Sequence, residues 1–444
     1  MDQLPRKLGL ADATAIVIGI VIGSGIFLLP NLIAQRVETG AAILAIWIVA
    51  GILSFFGALA YAELGAMMPA TGGQYVYLRE AYGPLCAFLC GWVFVLAVLP
   101  GGTGFLAVGF SIYLDHFIPL TPVLRKVVSV SLVVVLSAIN YIGVRESAWV
   151  QRVLTFAKLG GLALVIAAAL LSPHTAPAAV ARPLTYGGIG FAMTACLMAY
   201  NGWSYVSFVA GEVKDPERNL PRALALGMAL VMALYIGANL GYMNVMSLAQ
   251  IAGAERVGAA VAERTMGPLG ATLVSATVLL SVAGAINGCI LTGARIPFAQ
   301  ARDGLFFRRF ATVHPRFRTP SFAIVVQAVW AVVVMLTGSY ESLSSYAMLS
   351  AWIFYSLSVL GVLVLRRKMP EAVRPYRMWG YPVTLWLFLA VSVWFLIDAL
   401  ITQTATSLIA IGIALAGIPF YAVWRRRSAR ESAPALAKTG STIY

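Results

Sequence analysis

Near the N-terminus, the apolar run Ile18 to Phe27 (IGIVIGSGIF) carries Gly23-Ser24-Gly25 in its middle, with Pro30 a turn and a half later. A membrane helix tolerates glycine, but this cluster invites the helix to open. An opened turn in hydrocarbon strands backbone N–H and C=O groups, which persist only where protein or a polar cavity satisfies them. The N–H groups of the second half-helix then face, with the dipole's help, an anion such as a carboxylate. Small side chains at the break let a ligand come close to the backbone. The alternative is a small-xxx-small packing face made by Gly19 and Gly23.

That the run is a membrane span follows from composition. The 444 residues are 60% hydrophobic and 11% charged, which excludes an ordinary soluble protein of this size. Residues 1–12 carry charge and the following segment passes Gly23 without an Ala-x-Ala ending, so no cleavable signal peptide is expected. Cys86, Cys90, Cys196 and Cys289 fall inside apolar segments, which points to neither a disulfide framework nor a zinc site. His116, His174 and His314 sit in connecting loops far apart in sequence. No metal and no cofactor is therefore expected, and an embedded catalytic centre has almost nothing to be built from.

Windows of about 20 apolar residues define twelve expected spans. They cover 13–34, 41–63, 85–114, 127–143, 150–172, 189–211, 223–246, 270–300, 322–338, 345–365, 381–400 and 407–424. An even number puts both termini on one side. Of the 31 Lys and Arg residues, 24 fall on that side and 6 on the other, with Lys158 inside a span. The asymmetry predicts cytoplasmic termini and explains the net charge of +14 as topology, with no nucleic-acid partner implied. The tail 425–444 is expected to be disordered, its Arg-Arg-Arg opening held by anionic headgroups.

The sixth span carries a second interruption, Met198-Ala-Tyr-Asn-Gly-Trp-Ser204. Broken spans five apart match a five-helix unit repeated upside down, with substrate at the midplane between the halves. The expected organisation is a cytoplasmic N-terminus at 1–12, a first five-helix repeat at 13–172 and its inverted copy at 187–366. Helices 11 and 12 follow at 367–424, then the cytoplasmic tail. Coincidence is the alternative, because glycine is common in membrane helices.

Charged residues inside the spans are few and informative. Lys158 lies six residues beyond Arg152. Its ammonium either snorkels to the surface or finds carbonyls freed by the opened first span. Asp12, Glu63, Glu212 and Asp398 sit at span ends as caps or interfacial pairs, and Arg79 and Glu80 read as a solvated loop pair. Tyr235 and Asn287 are polar groups needing partners, as interhelical glue or as support for a site.

These residues carry a family resemblance. Ile22-Gly-Ser-Gly-Ile-Phe27, Tyr61-Ala-Glu-Leu-Gly65 and Pro69-Ala-Thr-Gly-Gly-Gln-Tyr75 resemble the amino acid–polyamine–organocation (APC) superfamily. Three further blocks resemble its L-type amino acid transporter group. They are Ser137 to Val144 with Val150-Gln and Ala157-Lys-Leu, Tyr200 to Tyr205 with Glu212 to Arg222, and Asn287-Gly running to Ala301-Arg-Asp-Gly-Leu305. The likeness covers about residues 5 to 425. It implies an all-α membrane protein of 12 transmembrane helices with a LeuT-like 5+5 inverted repeat, helices 1 and 6 interrupted, and two extra helices.

The resemblance also implies roles. The N–H groups of Ser24, Gly25 and Ile26 would hold a substrate α-carboxylate, and the carbonyls of Val21, Met198 and Asn201 its α-amino group. Lys158 would stand where a sodium ion sits in sodium-coupled relatives, with Tyr235 beside the opened helix. Two positions depart from the pattern: Met198 replaces an aromatic gate, and Asn201-Gly202 stands where mammalian members tend towards Gly-Gly. Those members bond to a heavy chain through a cysteine between spans three and four. Residues 115–126 contain none, so no disulfide-linked heavy chain is expected. The implied function is sodium-independent exchange of neutral L-amino acids across the inner membrane, with the substrate and the bilayer as partners. Proton-coupled uptake of an amino acid or polyamine, or an amino-acid sensor that moves nothing, are the alternatives.

Overall fold

In the computed structural model the regular elements are helices throughout the described residues, which are 4–37, 39–174, 186–337 and 340–439. The side chains of residues 186, 340–347 and 427–439 lie outside that description. The first apolar run forms two helices, α1 (Leu10–Val21) and α2 (Gly25–Ala34), separated at Ile22-Gly23-Ser24. Pro30 lies inside α2, so the carbonyl of Ile26 lacks its usual intrahelical donor.

A long α3 (Gly40–Met67) follows, then a short α4 (Gln74–Tyr82) entered through Gly72 and Gly73, both at positive φ. α5 (Pro84–Val93) and α6 (Leu99–Leu114) are one continuous rod with a π-helical turn, Phe94–Val98, between them. The wide turn precedes Pro100, whose ring cannot donate to the preceding helical turn. α7 (Pro122–Ile142) and α8 (Val144–Leu171) meet at Gly143. The second interrupted run gives α9 (Tyr186–Ala199) and a 3-10 segment, Trp203–Glu212.

The second half continues with α10 (Pro216–Val245), the short α11 (Leu248–Gly253) and α12 (Val257–Met266), then α13 (Pro268–Gly293) and α14 (Arg295–Arg302). It ends with α15 (Ser321–Thr337), α16 (Tyr340–Lys368), α17 (Val383–Thr402) and α18 (Thr404–Thr439). Ten stretches among the described residues are long and apolar enough to cross a membrane. Two expected spans are not among the ten. The stretch 189–211 is split between α9 and the 3-10 segment, and α15 has only 17 residues. The tail expected to be disordered continues α18 to Thr439, and 440–444 lie outside the described residues. Ala, Arg, Glu, Leu and Lys between 425 and 439 are strong helix formers, so the helix need not stop where the membrane does.

Packing places the breaks at the centre. α1 packs on α8, α10, α13 and the 3-10 segment, whereas α2 packs on α9, α11 and α12. The two halves of one run thus belong to different neighbours. The start of α1 is tied to the end of the 3-10 segment by a main-chain strap and a buried ion pair. Lys7 and Leu8 donate their N–H groups to the carbonyl of Glu212 at 2.9 Å, and Lys214 N–H donates to Leu8 at 2.8 Å. The Glu212 carboxylate grips the buried Arg295 guanidinium at 2.7 Å, and Arg295 also reaches the carbonyl of Leu291. Arg79 and Glu80 lie in α4 rather than in a loop, and Arg79 also pairs with Asp303, which accepts the Tyr75 hydroxyl at 2.8 Å. Burial, then the Asp303 carboxylate, hold that hydroxyl protonated well above the usual tyrosine range. Glu63 is held by Arg366 at 2.6 Å and by the Met378 N–H.

Candidate functional site

Opening a helix at residues 22–24 releases the carbonyls that precede the break. Three side chains from three helices collect them. Lys158 of α8 is 1% exposed, and its ammonium donates to Gly19 O at 2.8 Å, Ile22 O at 2.7 Å and Ser281 O at 3.0 Å. An ammonium has three protons, so this geometry uses them all. Ser281 of α13 donates its hydroxyl to Ile22 O at 2.7 Å, with Gly23 O also within 3.2 Å. Tyr235 of α10 places its hydroxyl 3.0 Å from Val21 O and 3.1 Å from Ala199 O. One proton is shared between those two acceptors, so Tyr235 ties the end of α1 to the end of α9.

The second break is shaped by Gly202. Its φ of +120° suits glycine, and a Cβ there would lie 2.6 Å from Ile20 Cγ2. The chain between, Tyr200-Asn201, folds back through Asn201 N–H on Met198 O at 3.1 Å. Among the described residues the Asn201 Oδ1 atom is buried with no hydrogen-bond partner. Such an acceptor costs about 1–3 kcal/mol if nothing donates to it.

On the donor side, α2 begins at Gly25 with Ser24 as its N-cap, and the Ser24 side chain makes no capping bond. The first N–H groups of a helix have no carbonyl behind them, and the dipole makes that end positive. Gly25 has an ordinary φ, and a Cβ built on it meets nothing closer than 3.4 Å. Neither backbone conformation nor packing requires glycine there. Gly19 differs: its Cβ would lie 2.8 Å from Thr155 Oγ1, so Gly19 is a packing glycine on α8, whereas at Gly23 the nearest atom is 3.6 Å away. The bland reading of this run holds for Gly19 alone.

Gly25, Met198 and Asn201 are partly accessible while Ser24, Ile26, Ala199 and Gly202 around them are buried. A Gly25 Cβ would be 3.5 Å from Ala199 Cα, so the two breaks adjoin. The structure therefore brings Val21, Ser24, Gly25, Ile26, Met198 and Asn201 to one junction, with Lys158 and Tyr235 behind it. Asn287 is placed elsewhere. It donates to Ser147 O and Gln151 Oε1 and accepts from Asn140, and Gln151 reaches Ala15 O. Ala15 is seven residues before Ile22, about 10 Å down the helix, so this network braces α1 below the break. Ser281 was not singled out from sequence, and no signal marks it there, because serine is frequent in membrane helices. Among the described residues no group of three His, Cys, Asp or Glu side chains is placed to hold a metal.

Comparison with known proteins shows the family. Residues 8–421 match the amino acid permease family. The chain is 34% identical over 432 residues to the serine/threonine exchanger SteT of Bacillus subtilis (strain 168), covering 96% of this chain and 99% of that protein. It is 31% identical to human b(0,+)-type amino acid transporter 1, with 94% and 88% covered. Against the mouse large neutral amino acids transporter small subunit 2 the identity is 32%, with 94% and 81% covered. An interrupted helix pair with facing donors and acceptors, and a match that runs almost end to end, lead to one conclusion: the chain belongs to the amino acid permease family and is a multi-pass membrane transporter, not an enzyme.

Proposed function

We propose that the protein exchanges neutral L-amino acids across the bacterial inner membrane by alternating access, without sodium. The carrying observation is the Lys158 ammonium, whose three donors are on the carbonyls of Gly19, Ile22 and Ser281. A built-in cation at the opened helix does what a bound sodium ion would do there. The relatives named as exchangers and neutral amino acid transporters support the same reading.

The α-carboxylate sits on the N–H groups of Ser24, Gly25 and Ile26. For the α-amino group, Val21 O already carries the Tyr235 hydroxyl and the Gly23 N–H, which makes it the hinge of the site more than its acceptor. Asn201 Oδ1 and the second lone pair of Met198 O take the ammonium. The partly accessible Met198 side chain covers the substrate. Neutral cargo is supported by the state of the two buried carboxylates among the described residues, Glu63 and Glu212, which are engaged by Arg366 and Arg295.

The membrane arrangement is twelve crossings with both termini cytoplasmic. The ten apolar spans are completed by α15 and by α9 with the 3-10 segment, which together reach about 40 Å. Residues 13–172 and 187–366 form the two inverted five-helix repeats. No disulfide-linked heavy chain is needed, since Cys86, Cys90, Cys196 and Cys289 all lie within helices. Proteoliposomes loaded with labelled neutral amino acid test the function. Release only when a neutral L-amino acid is outside supports exchange; release into empty buffer at the same rate refutes it.

A further inference from the structure

We propose that an anionic phospholipid headgroup binds between the N-terminal strap and the start of α8. The site goes beyond the transport reading and does not depend on it. A cavity of about 410 Å³ there is lined by Arg6, Lys7, Arg145, Arg152 and Lys214, with Asp12 the carboxylate among the lining residues. Asp12 is already engaged: it accepts the Gly9 N–H at 2.9 Å and faces Arg152 Nε at 2.9 Å. Five cations therefore face one carboxylate.

Three separate segments are held so as to converge these charges. The bridge between Leu8 and Val213 fixes Arg6 and Lys7 beside Lys214, and the N-terminal turns of α8 supply Arg145 and Arg152. Folding alone does not favour this. A cation in the first turn of a helix opposes the helix dipole, and like charges in one cavity repel. Both costs reverse when an anion enters, because it meets the positive helix end and the cations together.

The neighbouring surface identifies the anion's source. Arg145, Trp149, Arg152 and Phe156 are spaced i, i+4, i+7 and i+11, one stripe on α8. Trp149 is 58% and Phe156 is 64% exposed, on a helix long and apolar enough to span the membrane. Tryptophan at such a helix end sits at the headgroup level, and long basic side chains beside it reach the phosphates. Acyl chains lie along Trp149 and Phe156, and the headgroup phosphate enters the basic cavity.

The test uses the purified full chain with vesicles of phosphatidylcholine containing about one-fifth phosphatidylglycerol. Lipid retained through purification is counted by headgroup. Wild type is expected to enrich phosphatidylglycerol over phosphatidylcholine. Arg145→Gln/Arg152→Gln should lose about tenfold in that preference. Arg145→Gln/Lys214→Gln, which leaves the Asp12–Arg152 pair intact, should lose as much. Arg425→Gln/Arg426→Gln, on the exposed tail where headgroups are drawn only by diffuse charge, should lose less than either cavity pair. A monodisperse elution profile shows which variants fold, and either cavity pair suffices. Equal retention of both lipids by wild type overturns the proposal, as does undiminished preference in a folded cavity variant. Binding of inorganic pyrophosphate without any phosphatidylglycerol preference assigns the cavity to a free phosphate anion and overturns the lipid.

Discussion

The Lys158 ammonium lies 2.7 Å from the carbonyl oxygen of Ile22, the residue at which the first helix stops. The Ser281 hydroxyl reaches the same oxygen at 2.7 Å. A charged and a neutral donor thus share the acceptor, and they are not equivalent. Hydrogen bonds to charged groups contribute about 1.5–3 kcal/mol against about 1 for neutral ones.

Lys158→Ala removes the donor from Gly19 O, Ile22 O and Ser281 O, while Ile22 keeps Ser281. Each carbonyl left dry costs about 1–3 kcal/mol. Exchange is expected to fall at least about a hundredfold, the factor that roughly 2.7 kcal/mol corresponds to. Initial rates in proteoliposomes measure it, at matched reconstituted protein. Near-wild-type exchange by Lys158→Ala would show the lysine to be a spectator.

Ser281→Ala is expected to be milder than Lys158→Ala, and their effects should not add. Both donors serve Ile22 O, so each single variant leaves a partner that the double variant lacks. A double-mutant cycle on exchange rates checks this, and additivity within about 0.3–0.5 kcal/mol would mean the two act separately.

Gly25→Val should abolish substrate binding while the protein stays folded. The site has room for a Cβ, since the nearest atoms are at 3.4 and 3.5 Å, but a branched side chain shields the N–H groups from a carboxylate. Ligand-induced thermal stabilisation reads the binding, and wild-type stabilisation of the variant by a neutral amino acid would make Gly25 a packing glycine.

Met198→Phe is expected to change substrate preference more than stability. Met198 is partly accessible at the junction, so added bulk is expected to strain it less than it would a fully buried core position. Competition by a panel of amino acids measures preference. An unchanged profile with a large drop in melting temperature would place Met198 in ordinary packing.

Much of this site was legible in the sequence because membrane spans punish polar residues. Lys158 and Tyr235 stand out in apolar runs, Gly23-Ser24-Gly25 marks the first break and Asn201-Gly202 the second. Ser281 was invisible, since a hydroxyl in a membrane helix usually bonds its own backbone and carries no signal. The strap at Lys7 and Leu8 was equally hidden, because it works through main-chain bonds that any residue can make. Asn287 read as a candidate site residue because it is polar and embedded. Only the coordinates show its amide closing on Asn140, Ser147 and Gln151. Ten of the twelve expected spans are long apolar helices among the described residues; α15 is shorter at 17 residues, and the stretch 189–211 is divided between α9 and a 3-10 segment, which covers more distance per residue than an α-helix.

The built-in cation is tested most directly by the exchange rate of labelled neutral amino acid in proteoliposomes with sodium on both sides or replaced by choline. Equal rates in the two media are the predicted result, because Lys158 already occupies the carbonyls a sodium ion would need. A rate that requires sodium, or rises severalfold with it, would contradict the assignment of Lys158 as the resident charge at the opened helix.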